Sequence, residues 1–244
     1  MDDPALEPAE HLRALRALAL VNRLSLTAGR IWKEVRRQVK ARQVEGGGGP
    51  QAGSHHHPNG GEARGAIRPL RILDVACGGG DTVLALGRRA RREGVPLEVH
   101  GCDVSPVALA YAREQALRQG VEVSFFELDA LRSPIPGGFD LVCSSLFLHH
   151  LKEDDVVRLL QGVAEAGKTL LFQDLRRTRT GYWLAQGTLR LLSRSRVAQV
   201  DGPRSVRASF RLPEIAALAR KAGLHGARIT PCWPQRFTLT WSRV

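Results

Sequence analysis

The feature that most constrains the fold is a short apolar segment that runs directly into three consecutive glycines. The segment, residues 70–75, has the composition of a buried strand, and the glycines occupy positions 78–80. Apolar residues then recur at helical spacing over 83–90, so the pattern predicts a strand, a tight turn and a helix. Glycines let a ligand approach the turn, and a helix N-terminus offers unpaired N–H groups and partial positive charge. The sequence therefore predicts a site for a nucleotide-like, partly anionic ligand.

The spacing of the glycines separates two classes of cofactor. The dinucleotide fingerprint G-x-G-x-x-G/A would place its third small residue at Val83, which argues against a nicotinamide-dependent oxidoreductase. The spacing Asp74-x-Ala76-x-Gly78-x-Gly80 instead resembles the first motif of class I S-adenosylmethionine (SAM) methyltransferases, an acid followed by G-x-G-x-G. Ala76 departs from the first glycine of that motif, so we expect the turn to be retained but tighter. An αβ turn without a ligand is the alternative interpretation.

Acidic residues at the ends of later strands extend this resemblance over about residues 68 to 175. A predicted strand at 97–102 ends at Asp103, and another at 121–127 is followed by Asp129 and Ala130. The resemblance implies that Asp103 binds the ribose hydroxyls, that Asp129 accepts from the adenine amino group, and that the Ala130 backbone meets the ring. It also implies SAM as the cofactor. The alternative is ordinary turn chemistry, since Asp and Gly favour turns.

The whole pattern predicts one α/β domain with a helical arm in front of it. Residues 1–43 form the arm, helical over 9–42 with a break at 27–29, and the Gly-rich segment 44–66 reads as a flexible linker. Residues 67–244 form the methyltransferase domain. Further strands are expected at 139–144, 169–173, 227–232 and 236–241. The fold class is therefore a Rossmann-like, doubly wound, seven-stranded sheet whose last strand is antiparallel.

The composition indicates the cellular compartment of this domain and the state of its cysteines. There is no run of 18 apolar residues, the N-terminus is acidic, and the four cysteines lie in or beside predicted strands without metal-ligand spacing. We therefore expect a cytoplasmic protein with buried free thiols. The run His55–His57 has no partner motif, and no metal is predicted.

The positive charge is concentrated in the last third of the chain. Residues 175–244 hold 14 Lys and Arg against two acids, whereas the cofactor half is slightly acidic. Segment 175–211 combines many arginines with Tyr182, Trp183 and leucines, and it follows the fifth strand, where ligands bind in open α/β sheets. We interpret it as a substrate lid for an acidic or carrier-bound acceptor, with peripheral membrane contact as a further interpretation. A solvated basic face is the alternative.

Two histidines after the fourth strand are the candidates for the catalytic base. His149 and His150 follow a strand end that faces the cofactor, and histidine titrates near neutral pH. The alternative is local packing or hydrogen bonding at a helix start. The stretch SSLFLHHL and the later DLRR resemble small-molecule methyltransferases of bacterial quinone and polyketide pathways.

The predicted function is SAM-dependent methylation of a small molecule, on an oxygen of a phenolic, quinone-like or polyketide-like acceptor. A second hypothesis is an RNA- or DNA-directed methyltransferase that uses the basic C-terminal third. The fourth strand argues against nucleic acid, because it lacks the Asp/Asn-Pro-Pro-Tyr/Phe motif of amino-directed DNA methyltransferases. A nicotinamide-dependent oxidoreductase is the third hypothesis, and the chain has no recognisable Tyr-x-x-x-Lys pair to support it.

Overall fold

A computed structural model describes residues 8–46, 68–192 and 196–243. The helices are α1 (Pro8–Leu24), α2 (Thr27–Gly46), α3 (Asp81–Glu93), α4 (Pro106–Gln119), α5 (Glu153–Ala166), α6 (Arg179–Leu192), α7 (Arg196–Ala208) and α8 (Leu212–Lys221). The strands are β1 (Leu70–Val75), β2 (Leu97–Asp103), β3 (Ser124–Glu127), β4 (Phe139–Ser145), β5 (Gly167–Leu175), β6 (Arg228–Cys232) and β7 (Arg236–Ser242). A 3₁₀ turn at Leu148–His150 follows β4.

The seven strands form one sheet in the order β3-β2-β1-β4-β5-β7-β6. Strands β1 to β5 pair in parallel, whereas β7 is antiparallel to both of its neighbours, β5 and β6. The predicted fold class is therefore confirmed. The strand order reverses between β1 and β4, and ligands of open α/β sheets bind at the carboxyl ends of the strands beside such a reversal.

The N-terminal helices are part of the folded domain and cover one face of its sheet. Ile31, Trp32 and Val35 of α2 are buried against apolar residues of β1, α3, β4 and β5. The break between the helices falls at residues 25–26, just before the predicted position, and α2 begins at Thr27. Helix α2 continues to Gly46, so it includes the first three residues of the predicted linker. The rest of that segment, with His55–His57, lies outside the described residues.

The opposite face of the sheet packs against α5 and α8. Its core joins the apolar side chains of β1, β4, β5 and β7 to those of the two helices, as with Phe172, Leu160 and Ile215. Each of these three side chains is at most 1% exposed. No helix in the described part of the chain is long and apolar enough to cross a membrane.

The amino end of the sheet is closed around the carboxylate of Asp140 on β4. That carboxylate accepts from Arg68 Nη2 at 2.8 Å and from the Arg71 backbone N–H at 3.0 Å, and it pairs with Arg42 Nη2 at 2.5 Å. Burial acts to raise the pKa of Asp140, but the Arg71 N–H and the guanidinium groups of Arg42 and Arg68 lower it below its usual value. Because Arg42 belongs to α2, this cluster also ties the N-terminal helices to the sheet.

Candidate active site

The glycine turn adopts left-handed backbone conformations at alternate residues. The φ angles are 55° at Ala76, 53° at Gly78 and 75° at Gly80, which is the N-cap of α3. A residue with a Cβ pays roughly 1–2 kcal/mol for this conformation. The turn is retained, as expected, and the cost of alanine at its first position is backbone strain.

Packing behind the turn also favours glycine. A Cβ on Gly80 would lie 3.1 Å from both Ala112 Cβ and Phe125 Cζ, and one on Gly79 would lie 3.1 Å from the Tyr111 ring. The turn is therefore pressed against α4 and β3. Helix α1 also lies against the turn, since a Cβ on Gly78 would be 3.6 Å from Leu15 Cδ2.

The carboxylate of Asp103 holds the turn in place. The Gly78 N–H donates to Asp103 Oδ2 at 2.8 Å, and the Ser105 N–H donates to Oδ1 at 2.9 Å. Asp103, the residue predicted to bind the ribose, thus lies at the end of β2, directly beside the glycine turn.

Asp129 and Ala130 lie beyond the end of β3, at the same edge of the sheet. The Leu131 N–H donates to Asp129 Oδ1 at 3.0 Å, and Arg132 Nε lies 3.5 Å from Oδ2. Ala130 is partly buried against the core. The fold therefore brings Asp103, Asp129 and Ala130 to one edge, in the order that the family resemblance implies.

Asp74 lies beneath the turn, inside β1. Its side chain is buried, and Cys143 Sγ donates to its Oδ1 at 3.7 Å. Burial, followed by the negative charge of Asp81, raises the pKa of Asp74 well above its usual value. Burial also raises the pKa of the Cys102 thiol to about 12. Cys77, Cys102 and Cys143 are accordingly buried, free, protonated thiols around this carboxyl.

The two candidate histidines have different surroundings in the 3₁₀ turn after β4. His149 is buried, and its Nδ1 lies 2.6 Å from Oδ1 of Asp174 at the end of β5, whose Oδ2 accepts the His149 backbone N–H at 3.3 Å. His150 is exposed, and its ring centroid lies 4.1 Å from that of His149. Burial acts to raise the pKa of Asp174, but the charge and hydrogen bond of His149 lower it.

The pairing of His149 with Asp174 was not predicted from the sequence. The available signal was that His149 follows β4 closely and Asp174 lies in the last residues of β5, because the ends of these parallel strands lie side by side. Leu146, which leads into the 3₁₀ turn, has a φ of 57°, and its N–H donates to the Gln173 carbonyl at 2.9 Å. Strained backbone of this kind concentrates at functional sites.

Segment 175–211 forms α6 and α7 above the same edge. Arg177 pairs with both carboxylate oxygens of Glu214, and Arg176 Nη2 donates to Gln235 Oε1 at 2.9 Å. The Arg207 guanidinium lies 4.7 Å from the centroid of the Tyr182 ring. These three arginines are therefore engaged within the chain.

The comparisons with known proteins agree with this geometry. The sequence matches the family described as "Methyltransferase domain" over residues 72–169. Over 170 residues it is 31% identical to the ubiquinone biosynthesis O-methyltransferase of Bordetella parapertussis, covering 67% of this chain and 65% of that protein. Over 75 residues it is 49% identical to the demethylmenaquinone methyltransferase of Thermus thermophilus, covering 30% of this chain and 32% of that protein. The chain thus spans less than two thirds of the length of these relatives.

Solved structures show the same fold. A SAM-dependent methyltransferase from Aquifex aeolicus matches with a TM-score of 0.61 at 16% identity, covering 98% of this chain and 100% of that one. The mitomycin 7-O-methyltransferase MmcR matches with a TM-score of 0.55 at 24% identity, covering 72% of this chain and 49% of that one.

The fold and the family match define the class of protein. The seven-stranded sheet with its antiparallel last strand is that of a class I methyltransferase domain, as the sequence predicted. The chain belongs to the class I SAM-dependent methyltransferases, whose cofactor is S-adenosylmethionine. Among the described residues, no group of three or more His, Cys, Asp and Glu side chains could hold a metal ion.

Proposed function

We propose that this protein transfers the methyl group of SAM to an oxygen of a phenolic or quinone-like small molecule, with His149 as the general base. The observation that carries the proposal is the buried His149–Asp174 pair at the ends of β4 and β5. The names of the two relatives above, both enzymes of quinone methylation, support a quinone-like acceptor over a polyketide-like one.

SAM supplies an electrophilic methyl group on a sulfonium, which an oxygen can attack in line. The protein's part is to orient the acceptor and to remove its proton. Asp174 accepts at Nδ1 of His149, which leaves Nε2 as the nitrogen that takes the phenolic proton. The Asp174 carboxylate then stabilises the imidazolium. Bound SAM would supply the methyl group and keep the electron pair of the broken S–CH₃ bond on sulfur, while the proton of the acceptor would pass to His149.

We assign the cofactor contacts to the residues that surround the glycine turn. Asp103 would bind the ribose and Asp129 the adenine amino group, with the Ala130 N–H at the ring. Ala76, Gly78 and Gly80 give the ligand access to the backbone, and the buried carboxyl of Asp74 would support the turn from below. The shared position of these residues at one edge of the sheet supports this assignment.

Methylation of RNA or DNA is less well supported. The relatives above are named for ubiquinone biosynthesis and for demethylmenaquinone, and Arg176 and Arg177 form hydrogen bonds within the chain. A nicotinamide-dependent activity has no support in the family match.

A kinetic comparison of two histidine variants tests the base. We expect His149→Gln to lower kcat by about 10²–10⁴-fold, the range of general-base catalysis, without changing the affinity for SAM. His150→Gln is the matched control, because it removes the adjacent, exposed ring and should leave kcat nearly unchanged. The assay follows methylation of catechol and a hydroquinone by labelled SAM. Equal effects of the two substitutions, or no methyl transfer to an oxygen of either acceptor, would contradict the proposal.

We further propose that an acidic or carrier-bound acceptor reaches this cytoplasmic protein at an anionic membrane surface. Trp183 and Trp233 are 69% and 68% exposed, and Leu26 is 63% exposed. Arg30 lies between Trp233 and Leu26. Its Nη2 donates to the Trp233 carbonyl at 3.1 Å, and its Nη1 donates to the carbonyl of Ser25, the residue before Leu26. Exposed aromatic and aliphatic side chains among arginines are typical of interfacial binding.

Vesicle flotation tests this contact. The parent protein should float with vesicles of phosphatidylglycerol and not with those of phosphatidylcholine, and Trp183→Ala combined with Trp233→Ala should reduce the bound fraction. Leu117→Ala is the matched control, since Leu117 is 83% exposed on α4, outside this surface. Equal flotation on both lipids would show that acidic lipid is not the partner.

A further inference from the structure

The side chain of Arg236 on β7 is a buried cation that no neighbouring carboxylate pairs directly. It is 1% exposed, and among the described residues no carboxylate oxygen lies within 4.0 Å of it. Its Nη1 donates to Thr27 Oγ1 at 3.0 Å and to Asn22 Oδ1 at 3.3 Å, while its Nη2 is buried without a partner. Burial lowers the pKa of Arg236 to about 10, against the opposing charge of Asp174. A buried charged donor without a partner is unfavourable unless something else satisfies it.

Gln173 on the adjacent strand β5 has an unpaired acceptor, whereas Arg236 has an unpaired donor. It is also 1% exposed, and its Nε2 donates to the Thr27 carbonyl at 3.2 Å, while its Oε1 is buried without a partner. Leu175 pairs with Arg236 in the ladder of β5 and β7, and Gln173 lies two residues before Leu175, so both polar side chains project from the same face. An unpaired donor and an unpaired acceptor therefore belong to side chains that both contact Thr27.

Arg236 interacts with residues on both sides of the site, beside the glycine turn and beside the His149–Asp174 pair. Asn22, which binds Arg236, also hydrogen-bonds to Asp81, the first residue of α3 after the glycine turn. On the other side, the charge of Arg236 helps to lower the pKa of Asp174, the partner of His149. A ligand group at Arg236 would thus lie between the cofactor turn and the proposed base.

We propose that Arg236 binds a carboxylate of a bound ligand and that Gln173 accepts a hydrogen bond from a donor of the same ligand. The guanidinium fork matches a carboxylate, and occupation would satisfy both unpaired atoms. The carboxylate can come from the methionine end of SAM, whose ammonium group is the adjacent donor, or from an acidic acceptor with a hydroxyl group. The inference rests on the proposed methyltransferase function and names the chemistry of one subsite within it.

The first test compares ligands on the parent protein. Calorimetry measures the affinities for SAM and for decarboxylated SAM, and initial rates compare 3,4-dihydroxybenzoate with catechol as acceptors. We expect the carboxylate to strengthen binding by about tenfold or more in one of the two pairs, the effect of a charge-assisted contact. Discrimination within the SAM pair identifies the methionine carboxylate, and discrimination within the acceptor pair identifies an acidic acceptor. Absence of discrimination in both pairs would overturn the proposal without any variant.

The second test removes the guanidinium. Arg236→Gln should abolish the discrimination found in the parent and leave the affinity for the carboxylate-free ligand nearly unchanged. Arg30→Gln is the matched control, because Arg30 contacts the same helix corner through the Ser25 and Trp233 carbonyls. Thermal unfolding confirms that each variant folds. A folded Arg236→Gln protein that still prefers the carboxylate would overturn the proposal.

Gln173→Leu provides the second variant if Arg236→Gln does not fold. It removes the unpaired acceptor and keeps the cation, so we expect both ligands of the discriminating pair to bind several-fold more weakly while the carboxylate preference remains. Parent-like affinity for both ligands would remove Gln173 from the subsite and overturn that part of the proposal. If neither acceptor is methylated, the proposed O-methylation fails, and the SAM pair alone decides the role of Arg236.

Discussion

The two ends of this sheet differ in how their buried polar side chains are paired. At the amino end, the buried carboxylate of Asp140 is surrounded by cations and a backbone N–H. At the carboxyl end, Arg236 and Gln173 are equally buried but keep unpaired atoms. All four non-glycine residues with positive φ in the described parts of the chain, Leu26, Ala76, Leu146 and Gln235, also lie at this end. The comparison indicates that the amino end stabilises the fold, whereas the carboxyl end retains strain and unpaired groups for ligands.

Removal of the Asp140 carboxylate should have the largest effect on stability. Asp140→Ala leaves several cations without their partner, and we expect the free energy of unfolding to fall by about 3 kcal/mol, as when a buried pair loses one member. Urea denaturation measures the change, and Asp155→Ala, which breaks only an exposed pair with Arg158, should cost less than about 1 kcal/mol. SAM affinity of the folded fraction should be unchanged. Similar losses in the two variants would mean that the amino end is not the stabilising one.

Loss of Asp103 should affect ligand binding more than folding. Asp103→Ala removes the acceptor of the Gly78 N–H and the proposed ribose contact, each worth about 1.5–3 kcal/mol when charge-assisted. SAM affinity, measured by calorimetry, should therefore fall at least about tenfold. Glu127→Ala is the matched control, since Glu127 lies opposite Asp103 in the parallel ladder of β2 and β3. Parent-like affinity in Asp103→Ala would refute the ribose assignment.

The two ends should respond to acid with opposite signs. The pKa of Asp140 is lowered on folding, so its stabilisation is complete above the ordinary carboxyl value and is lost as the pH falls through the lower folded value. The pKa of Asp74 is raised, so stability increases as the pH falls from the raised folded value towards the ordinary one. Denaturation at pH 3 to 8 should therefore show that Asp140→Asn flattens the acid limb below pH ~4 and that Asp74→Asn flattens the profile above it. The same limb affected in both variants would contradict this assignment.

Relief of strain at the turn should have the smallest effect. Ala76→Gly removes the Cβ at a φ of 55°, and the gain is partly offset by the greater freedom of glycine in the unfolded chain. We expect a net increase in stability of about 0.5–1 kcal/mol. Ala112→Gly, inside α4, is the control and should destabilise instead. Destabilisation by Ala76→Gly would show that the strain is compensated locally.

The sequence predicted the parts of the fold that have local signals. Each strand was placed to within a few residues, although β3 begins at Ser124 and is shorter than expected. The glycine turn and the acids at the strand ends could be predicted because a turn depends on residues that are adjacent in the sequence. The integration of α2 into the core could not be, because an amphipathic helix does not specify which sheet face receives it.

The polar contacts of the site needed the three-dimensional structure. Asp174 follows His149 by 25 residues, and Arg236 lies 214 residues from Asn22. No periodicity or spacing rule connects such positions. The arginines of segment 175–211 were predicted to contact an acidic acceptor because guanidinium groups match carboxylates. In the structure, Arg176 and Arg177 form hydrogen bonds within the chain, and the buried, unpaired Nη2 of Arg236 lies outside that segment.

The contact between Arg236 and the corner of α1 and α2 has a consequence for protein synthesis. Asn22 and Thr27 are made early, but the guanidinium that holds them arrives more than 200 residues later. At about 5–20 residues per second, the N-terminal helices wait on the order of ten seconds or longer at the ribosome. During that time, Trp32 and the rest of the apolar face of α2 lack strands β4 and β5. We therefore expect chaperones to act on the nascent segment that forms α1 and α2.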